Sequence, residues 1–187
     1  MKLLEAKGYI ESRDRKGKYV KSLTHNVKSS IEDLISVNHE KIWELLAVRR
    51  LIDSEAASLA AKNASKDQKK RFDKILERIG VIGTDNVLTS KEGGKLYADF
   101  FDNLADSTKN TIFVHLRDTI ANVLTGAFPY SRKKLSRVEN SSRDIVDQLL
   151  RIADAIGRKD PDAAKALTIE HIDYIEKSLR KVLKEGE

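Results

Sequence analysis

Apolar residues recur at intervals of three and four along nearly the whole chain after residue 38, and this spacing constrains the fold more than any other feature. It is the spacing of one face of an α-helix. Only two prolines, Pro129 and Pro161, occur in the 187 residues, so little interrupts long helices. We therefore predict an all-α fold, an antiparallel bundle of six or seven helices.

Local signals place the ends of the predicted helices. Ser65 is a candidate N-cap, and Asp160 followed by Pro161 is a strong helix start. Pro129 is expected to break a helix, and a polar, glycine-containing stretch at 80–94 follows the helix predicted at 66–80. The predicted helices of the bundle cover residues 39–63, 66–80, 95–107, 109–126, 136–157 and 160–182.

Residues 1–22 differ from the rest of the chain in charge and in pattern. They hold seven Lys/Arg and three Asp/Glu, giving +4, whereas the remaining 165 residues hold 28 and 26, giving +2. Residues 1–7 read as the end of a helix, and the β-prone segments 9–12 and 18–20 flank a basic turn. This order predicts a hairpin behind a helix. The charge alone fits contact with a polyanion and a solvated basic tail equally well.

Residues 4–20 resemble the wing of the winged helix-turn-helix in GntR-family transcription regulators. A helix ends near Leu4, Gly8-Tyr9-Ile10 follows, a basic tip comes next, and an aromatic-Val pair closes the hairpin at Tyr19-Val20. The resemblance implies that the basic residues of this wing contact DNA phosphates or the minor groove. These residues are Arg13, Arg15, Lys16 and Lys18.

Residues 25–184 resemble the helical effector domain of the FadR-like branch of the same family. The first long helix carries Arg49, Asp53 and alanine-rich turns, and Asn110 opens a later helix. The final hairpin has its acidic turn at Asp160 and a histidine at His171. The resemblance implies three parts. Residues 1–22 are the C-terminal remnant of a winged helix-turn-helix, residues 23–37 a linker helix, and residues 38–187 the effector-binding domain.

Many domains of this family bind a divalent metal through an Asp, a His four residues later and two further His. The matching positions here are Tyr97, Phe101, Leu149 and His171, so one imidazole remains and neither a metal nor another cofactor is expected. The fatty-acid-responsive FadR regulator likewise has Phe at the first His position. The resemblance therefore implies an effector pocket formed by these four residues with Arg49, for an acyl-CoA or another apolar carboxylate derivative.

Each of these residues also has a purely structural interpretation. Core packing explains the two aromatic residues and the leucine equally well. A hydrogen-bonded buried histidine explains His171, and an ion pair with Asp53 four residues on explains Arg49. The sequence alone leaves both interpretations open.

Other classes of function find little support. The chain has no cysteine, and no apolar run long enough to cross a bilayer. The spaced pairs His115/Asp118 and Asp99/Asp102 lack partners that would complete a catalytic set. We therefore expect a cytoplasmic protein that is not an enzyme and does not associate with a membrane.

The function predicted from the family is that of a ligand-responsive DNA-binding transcription regulator. Such a protein binds operator DNA as a homodimer, and a small-molecule effector in the helical bundle controls the binding. The helices that precede a wing in this motif are missing before Met1. The alternative is therefore a truncated sensor or dimerisation module without specific DNA binding.

Overall fold

The computed structural model describes residues 10–13, 17–20 and 41–184. Within them, two strands precede seven helices. The strands are β1 (Ile10–Arg13) and β2 (Gly17–Val20). The helices are α1 (Lys41–Asn63), α2 (Lys66–Ile82), α3 (Asn86–Thr89), α4 (Lys91–Ser107), α5 (Thr111–Leu135), α6 (Ser141–Gly157) and α7 (Pro161–Lys184). The predicted all-α bundle behind a β-hairpin is confirmed.

The hairpin pairs β1 with β2 in antiparallel register. Ile10 lies opposite Val20, and Arg13 lies opposite Gly17. The predicted helix end at residues 1–7, the wing-tip residues Arg15 and Lys16, and the linker helix at 23–37 lie outside the described residues.

The bundle is built around α1, which packs along α7 and also against α4. Its alanines Ala56, Ala57, Ala60 and Ala61 are buried, and small side chains let helices approach closely. Helix α6 packs on α7, and α2 closes the core through Phe72, whose ring centroid lies 4.9 Å from that of Phe100. The buried side chains of all seven helices form one core.

The predicted helix starts are confirmed by their caps. The Ser65 side chain accepts from the backbone N–H of Gln68, and the Gln68 side chain accepts from the backbone of Ser65, which completes a capping box. Asp160 Oδ1 accepts from the N–H of Ala163 at 3.0 Å in the first turn of α7. Asn110 caps α5 in the same way.

The predicted break at Pro129 is wrong, because α5 continues to Leu135. A proline removes one backbone hydrogen bond, and contacts farther along the helix outweigh that loss. Leu135 is buried, and Arg132 Nη2 donates to the carbonyls of Val87, at 3.0 Å, and Ser90. Helix α6 correspondingly begins at Ser141 and not near residue 136.

The polar stretch 80–94 holds the end of α2, all of α3 and the start of α4. Gly83 ends α2 with φ 87°, in the left-handed region that favours glycine. The Ser90 side chain accepts from the N–H of Gly93 at 2.9 Å and caps α4. A Cβ on Gly93 would lie 2.1 Å from the carbonyl oxygen of Asn86, so this glycine permits a close approach of α3 to α4.

No helix in the described part of the chain is long and apolar enough to span a bilayer.

Candidate effector site

A buried chain of hydrogen bonds links four helices at the centre of the bundle. Arg49 of α1 donates through Nε to Asp53 at 2.9 Å and through Nη2 to the hydroxyl of Tyr97 on α4 at 3.5 Å. That hydroxyl lies 2.8 Å from Nε2 of His171 on α7. Nδ1 of His171 lies 2.7 Å from Oε1 of Gln148 on α6. This series of hydrogen bonds therefore joins helices α1, α4, α7 and α6 through side chains alone.

Burial fixes the protonation states along this chain. It is the main factor that lowers the pKa of His171 to about 3, and the charge of Arg49 lowers it further. Burial likewise raises the pKa of Tyr97, so its phenol keeps its proton. A neutral imidazole that donates from Nδ1 to the Gln148 oxygen accepts at Nε2, so the Tyr97 hydroxyl donates to His171. Every hydrogen-bonding group of the imidazole is satisfied within the protein.

Phe101 lies between this series of hydrogen bonds and a second buried arginine, Arg117. Its ring stacks on the His171 ring with centroids 5.6 Å apart and an interplanar angle of 24°, and lies 5.1 Å from the Tyr97 ring. The guanidinium carbons of Arg49 and Arg117 lie 5.0 and 5.5 Å from its centroid. Phe101 therefore packs in a cluster of aromatic and cationic groups. Each guanidinium is attracted to the ring of Phe101 by a cation–π interaction.

A cavity lies beside this cluster. It is narrow, and its free volume of about 20 Å³ has room for about one water molecule. Aliphatic side chains from five helices line most of it, among them Ile42, Leu46, Leu88, Leu135, Ile145, Ile175 and Leu179 of α1, α3, α5, α6 and α7. Its polar lining residues are Arg49, Tyr97, Ser131 and Arg132. The surface that faces the cavity is apolar, and the polar atoms of these four residues point away from it.

The structure brings the predicted site residues together but gives them different surroundings. Arg49 and Tyr97 line the cavity. Phe101, Leu149 and His171 are fully buried in the core behind Tyr97 and are not among its lining residues. The predicted ion pair of Arg49 with Asp53 is present, and it coexists with the position of Arg49 at the cavity.

Sequence reasoning missed three polar residues of this region. Gln148, next to Leu149, is the α6 residue that binds His171. Arg117 is buried beside Phe101 and lies 3.2 Å from Asp102. Arg132 was missed because the predicted break at Pro129 removed it from the bundle. An arginine among aliphatic residues of a long helix was the available signal for Arg117.

The donor set does not fit the divalent metal that many domains of this family hold. At the corresponding positions stand a phenol, a phenyl ring, an isobutyl group and one imidazole, and both imidazole nitrogens already have partners. A catalytic or structural metal site needs three or more protein ligands. Among the described residues, no group of three or more His, Cys, Asp or Glu side chains converges.

A helical bundle with an apolar cavity and a buried polar chain is the kind of domain that senses a small ligand. The chain belongs to the FCD domain family, whose pattern it matches over residues 44–174. The FCD domain is the C-terminal effector-binding domain of GntR-family transcription regulators, which are not enzymes. The resemblance of the helical part of the chain to a GntR-family effector domain is therefore confirmed.

Two regulators are similar to the chain over most of its length. The HTH-type transcriptional regulator LutR of Bacillus subtilis (strain 168) is 26% identical over 187 residues, which cover 98% of this chain and 83% of LutR. The Uxu operon regulator of Haemophilus influenzae is 23% identical over 180 residues, which cover 96% of this chain and 65% of that protein.

Two solved structures share the fold. Streptococcus agalactiae GntR matches with a TM-score of 0.58 at 19% identity, covering 94% of this chain and 78% of the other. E. coli McbR/YncC matches with a TM-score of 0.64 at 12% identity, covering 96% and 80%. At such identities the likeness concerns the fold alone.

Proposed function

We propose that this chain is a ligand-responsive transcription regulator that binds operator DNA as a homodimer and whose effector binds in the cavity of the helical bundle. Membership of the FCD family and the similarity to two transcription regulators support this proposal. The observation that carries it is the apolar cavity at the centre of the bundle, with Arg49 and Tyr97 beside it. An apolar space suits the hydrocarbon part of a ligand.

The effector that fits best is an acyl-CoA or another apolar carboxylate derivative. Arg49 and Tyr97 would contact it directly, since both line the cavity. Phe101 and His171 would act from behind, by holding Tyr97 in place through the ring contacts and the hydrogen bond to Nε2. Leu149 is buried in the same core. A small hydrophilic acid such as citrate or lactate would leave the aliphatic lining without a partner.

Helix α1 is the element through which the cavity would act on DNA binding. Ile42, Leu46 and Arg49 lie on its N-terminal half and line the cavity, and the hairpin precedes this helix in the chain. A ligand that binds more tightly to one position of α1 than to another shifts the population toward that position. The effector would thereby set the relative placement of two DNA-binding segments in a dimer.

A thermal-shift comparison tests the effector class. Acyl-CoAs and free fatty acids should raise the melting temperature of the full chain in proportion to the logarithm of ligand concentration, whereas citrate and lactate should not. Leu46→Phe narrows the cavity and should reduce the shift. Leu150→Phe makes the same change at an exposed position of α6 and is the matched control. Strong stabilisation by a small carboxylate alone would overturn the apolar-effector proposal and leave the regulator proposal standing.

The wing tests the DNA-binding half of the proposal. In the strand register Arg13 pairs with Gly17 and Lys18 pairs with Ser12, so both basic positions lie at the turn end of the hairpin. Replacing Arg13, Arg15, Lys16 and Lys18 by Ala should weaken DNA binding and reduce the slope of log K against log salt by about 0.9 for each phosphate that the variant no longer neutralises. An unchanged slope contradicts the wing assignment. No operator binding by the intact gene product favours a sensor or dimerisation module.

A further inference from the structure

The cavity has to widen before it can hold an effector. Its free volume of about 20 Å³ has room for about one water molecule, so a hydrocarbon ligand fits only when a lining side chain moves away. Most of the described lining residues lie on helices of 17 to 25 residues, which pack against their neighbours along their whole length. The exception is Leu88, which lies on α3, a helix of four residues.

Helix α3 has little internal support. Its backbone bonds include that from the N–H of Ser90 to the carbonyl of Asn86, at 3.0 Å. It follows Gly83, whose φ is 87°, and it ends at Ser90, whose backbone is extended with φ −95° and ψ 156°. The segment thus lies between two non-helical residues, where a change of a few torsion angles redirects the chain. Such short segments open at a lower free energy than the helices around them.

Arg132 of α5 holds this segment against the bundle. Its Nη2 donates to the carbonyl oxygen of Val87 at 3.0 Å and to that of Ser90. The last carbonyls of a helix have no partner within it, so the arginine supplies the donor that they lack. Gly94 of α4 leaves the space for this contact, because a Cβ there would overlap the guanidinium of Arg132.

We propose that residues 83–90 form a lid over the effector cavity and that Arg132 holds this lid closed. In the closed position Leu88 lines the cavity. When the hydrogen bonds from Arg132 break, the lid turns about Gly83 and Ser90, and Leu88 leaves space for a hydrocarbon ligand. A ligand that occupies this space favours the open position. The inference rests on the effector cavity of the proposed function, and it requires no contact between Arg132 and the ligand.

A single introduced thiol measures the opening of the lid, because the chain has no cysteine of its own. Ile145→Cys places the thiol at the cavity, and Ile156→Cys places it on the same helix outside the cavity lining. Both isoleucine side chains are 0% exposed, so N-ethylmaleimide, a neutral reagent, reacts only when the site opens. Adding Arg132→Gln should accelerate labelling at least tenfold at position 145 and less than twofold at position 156.

Matched variants separate the hydrogen bonds of Arg132 from its charge. Lys133→Gln removes a charge from the neighbouring exposed position and should leave both labelling rates unchanged. Gly94→Ala displaces the flexible end of Arg132 and keeps its charge, so labelling at position 145 should rise at least threefold. Gly80→Ala, whose Cβ meets nothing within 4 Å, is the control for that change. Circular dichroism checks that each variant keeps its helices.

Hydrogen exchange of the wild-type chain tests the lid without any substitution. The amides of Val87 and Ser90 are hydrogen-bonded, yet they should exchange at least tenfold faster than the amides in the middle of α6. Equal protection of the two segments overturns the lid. If Arg132→Gln and Gly94→Ala both prove unfolded, this measurement decides.

The labelling results have two outcomes that contradict the proposal. Equal acceleration at positions 145 and 156 would show that Arg132 stabilises the whole bundle and not a lid. Unchanged labelling at position 145 in both Arg132→Gln and Gly94→Ala overturns the proposal as well.

None of these measurements uses an effector, so the lid and the effector class can fail separately. Labelling as expected, with no rise in melting temperature from any acyl-CoA or fatty acid, leaves the lid and refutes the apolar effector. A clear thermal shift with unchanged labelling refutes the lid and leaves the apolar effector.

Discussion

Replacing His171 by Gln should change how the stability of the bundle depends on pH. The imidazole is fully buried, and both ring nitrogens have partners, Tyr97 and Gln148. Burial first, and then the charge of Arg49, lower its pKa from 6.5 to about 3 in the folded chain. The histidine therefore stays neutral in the native state over a pH range in which the unfolded chain protonates it.

The sign and size of the effect follow from proton linkage. Because the folded pKa lies below the unfolded one, the unfolded chain binds more protons between pH 6.5 and 3. The contribution of the neutral histidine is thus fully present above pH 6.5 and is lost as pH falls toward 3. The loss approaches about 1.4 kcal/mol per pH unit, or about 2 kcal/mol between pH 7 and pH 5.

Urea unfolding at pH 7 and pH 5 measures this loss. Wild type should lose about 2 kcal/mol more than His171→Gln over that interval, so the stability gap between them should narrow by that amount. His115→Gln removes a histidine from an exposed position of α5 and serves as the matched control. Parallel pH dependences for wild type and His171→Gln would show that the imidazole is not held neutral.

Three further results are expected. Gly93→Ala should destabilise the fold by about 1–3 kcal/mol in urea unfolding, because its Cβ would meet the Asn86 carbonyl. Gly80→Ala, whose Cβ meets nothing within 4 Å in α2, should instead stabilise by roughly 0.5–1 kcal/mol. Elemental analysis should find no transition metal bound one per chain, since His171 is the single imidazole at those positions. Light scattering should give a dimer mass, and a monomer at high concentration would contradict the homodimer proposal.

The helices could be predicted from the sequence wherever local signals and packing agree. The 3/4 spacing of apolar residues and the caps at Ser65 and Asp160 gave the right helices with boundaries close to those observed. The errors fall where tertiary contacts override local preference. Arg132 and Leu135 hold α5 helical beyond Pro129, and the approach of α3 to α4 requires Gly93 inside a helix. Neither contact leaves a trace in a single sequence.

Part of the candidate site could likewise be predicted from the sequence, and part could not. Sequence position alone brought Tyr97 and His171 together, because both stand where the family converges on one point, and their side chains are hydrogen-bonded. The sequence did not predict where the cavity lies, because the position of a cavity depends on how six helices pack. The cavity therefore lies on the Arg49 side of Tyr97 and reaches Arg132, a residue more than 30 positions along the chain from Tyr97.

Different residues of this bundle stabilise the fold and line the cavity. Where a relative with three histidines uses a metal for both, this chain has His171 with no free nitrogen for a ligand, since Tyr97 and Gln148 satisfy both ring nitrogens. Its hydrogen bonds join α4, α6 and α7. The chain should therefore respond to its effector without any requirement for metal, and a chelator should leave that response unchanged.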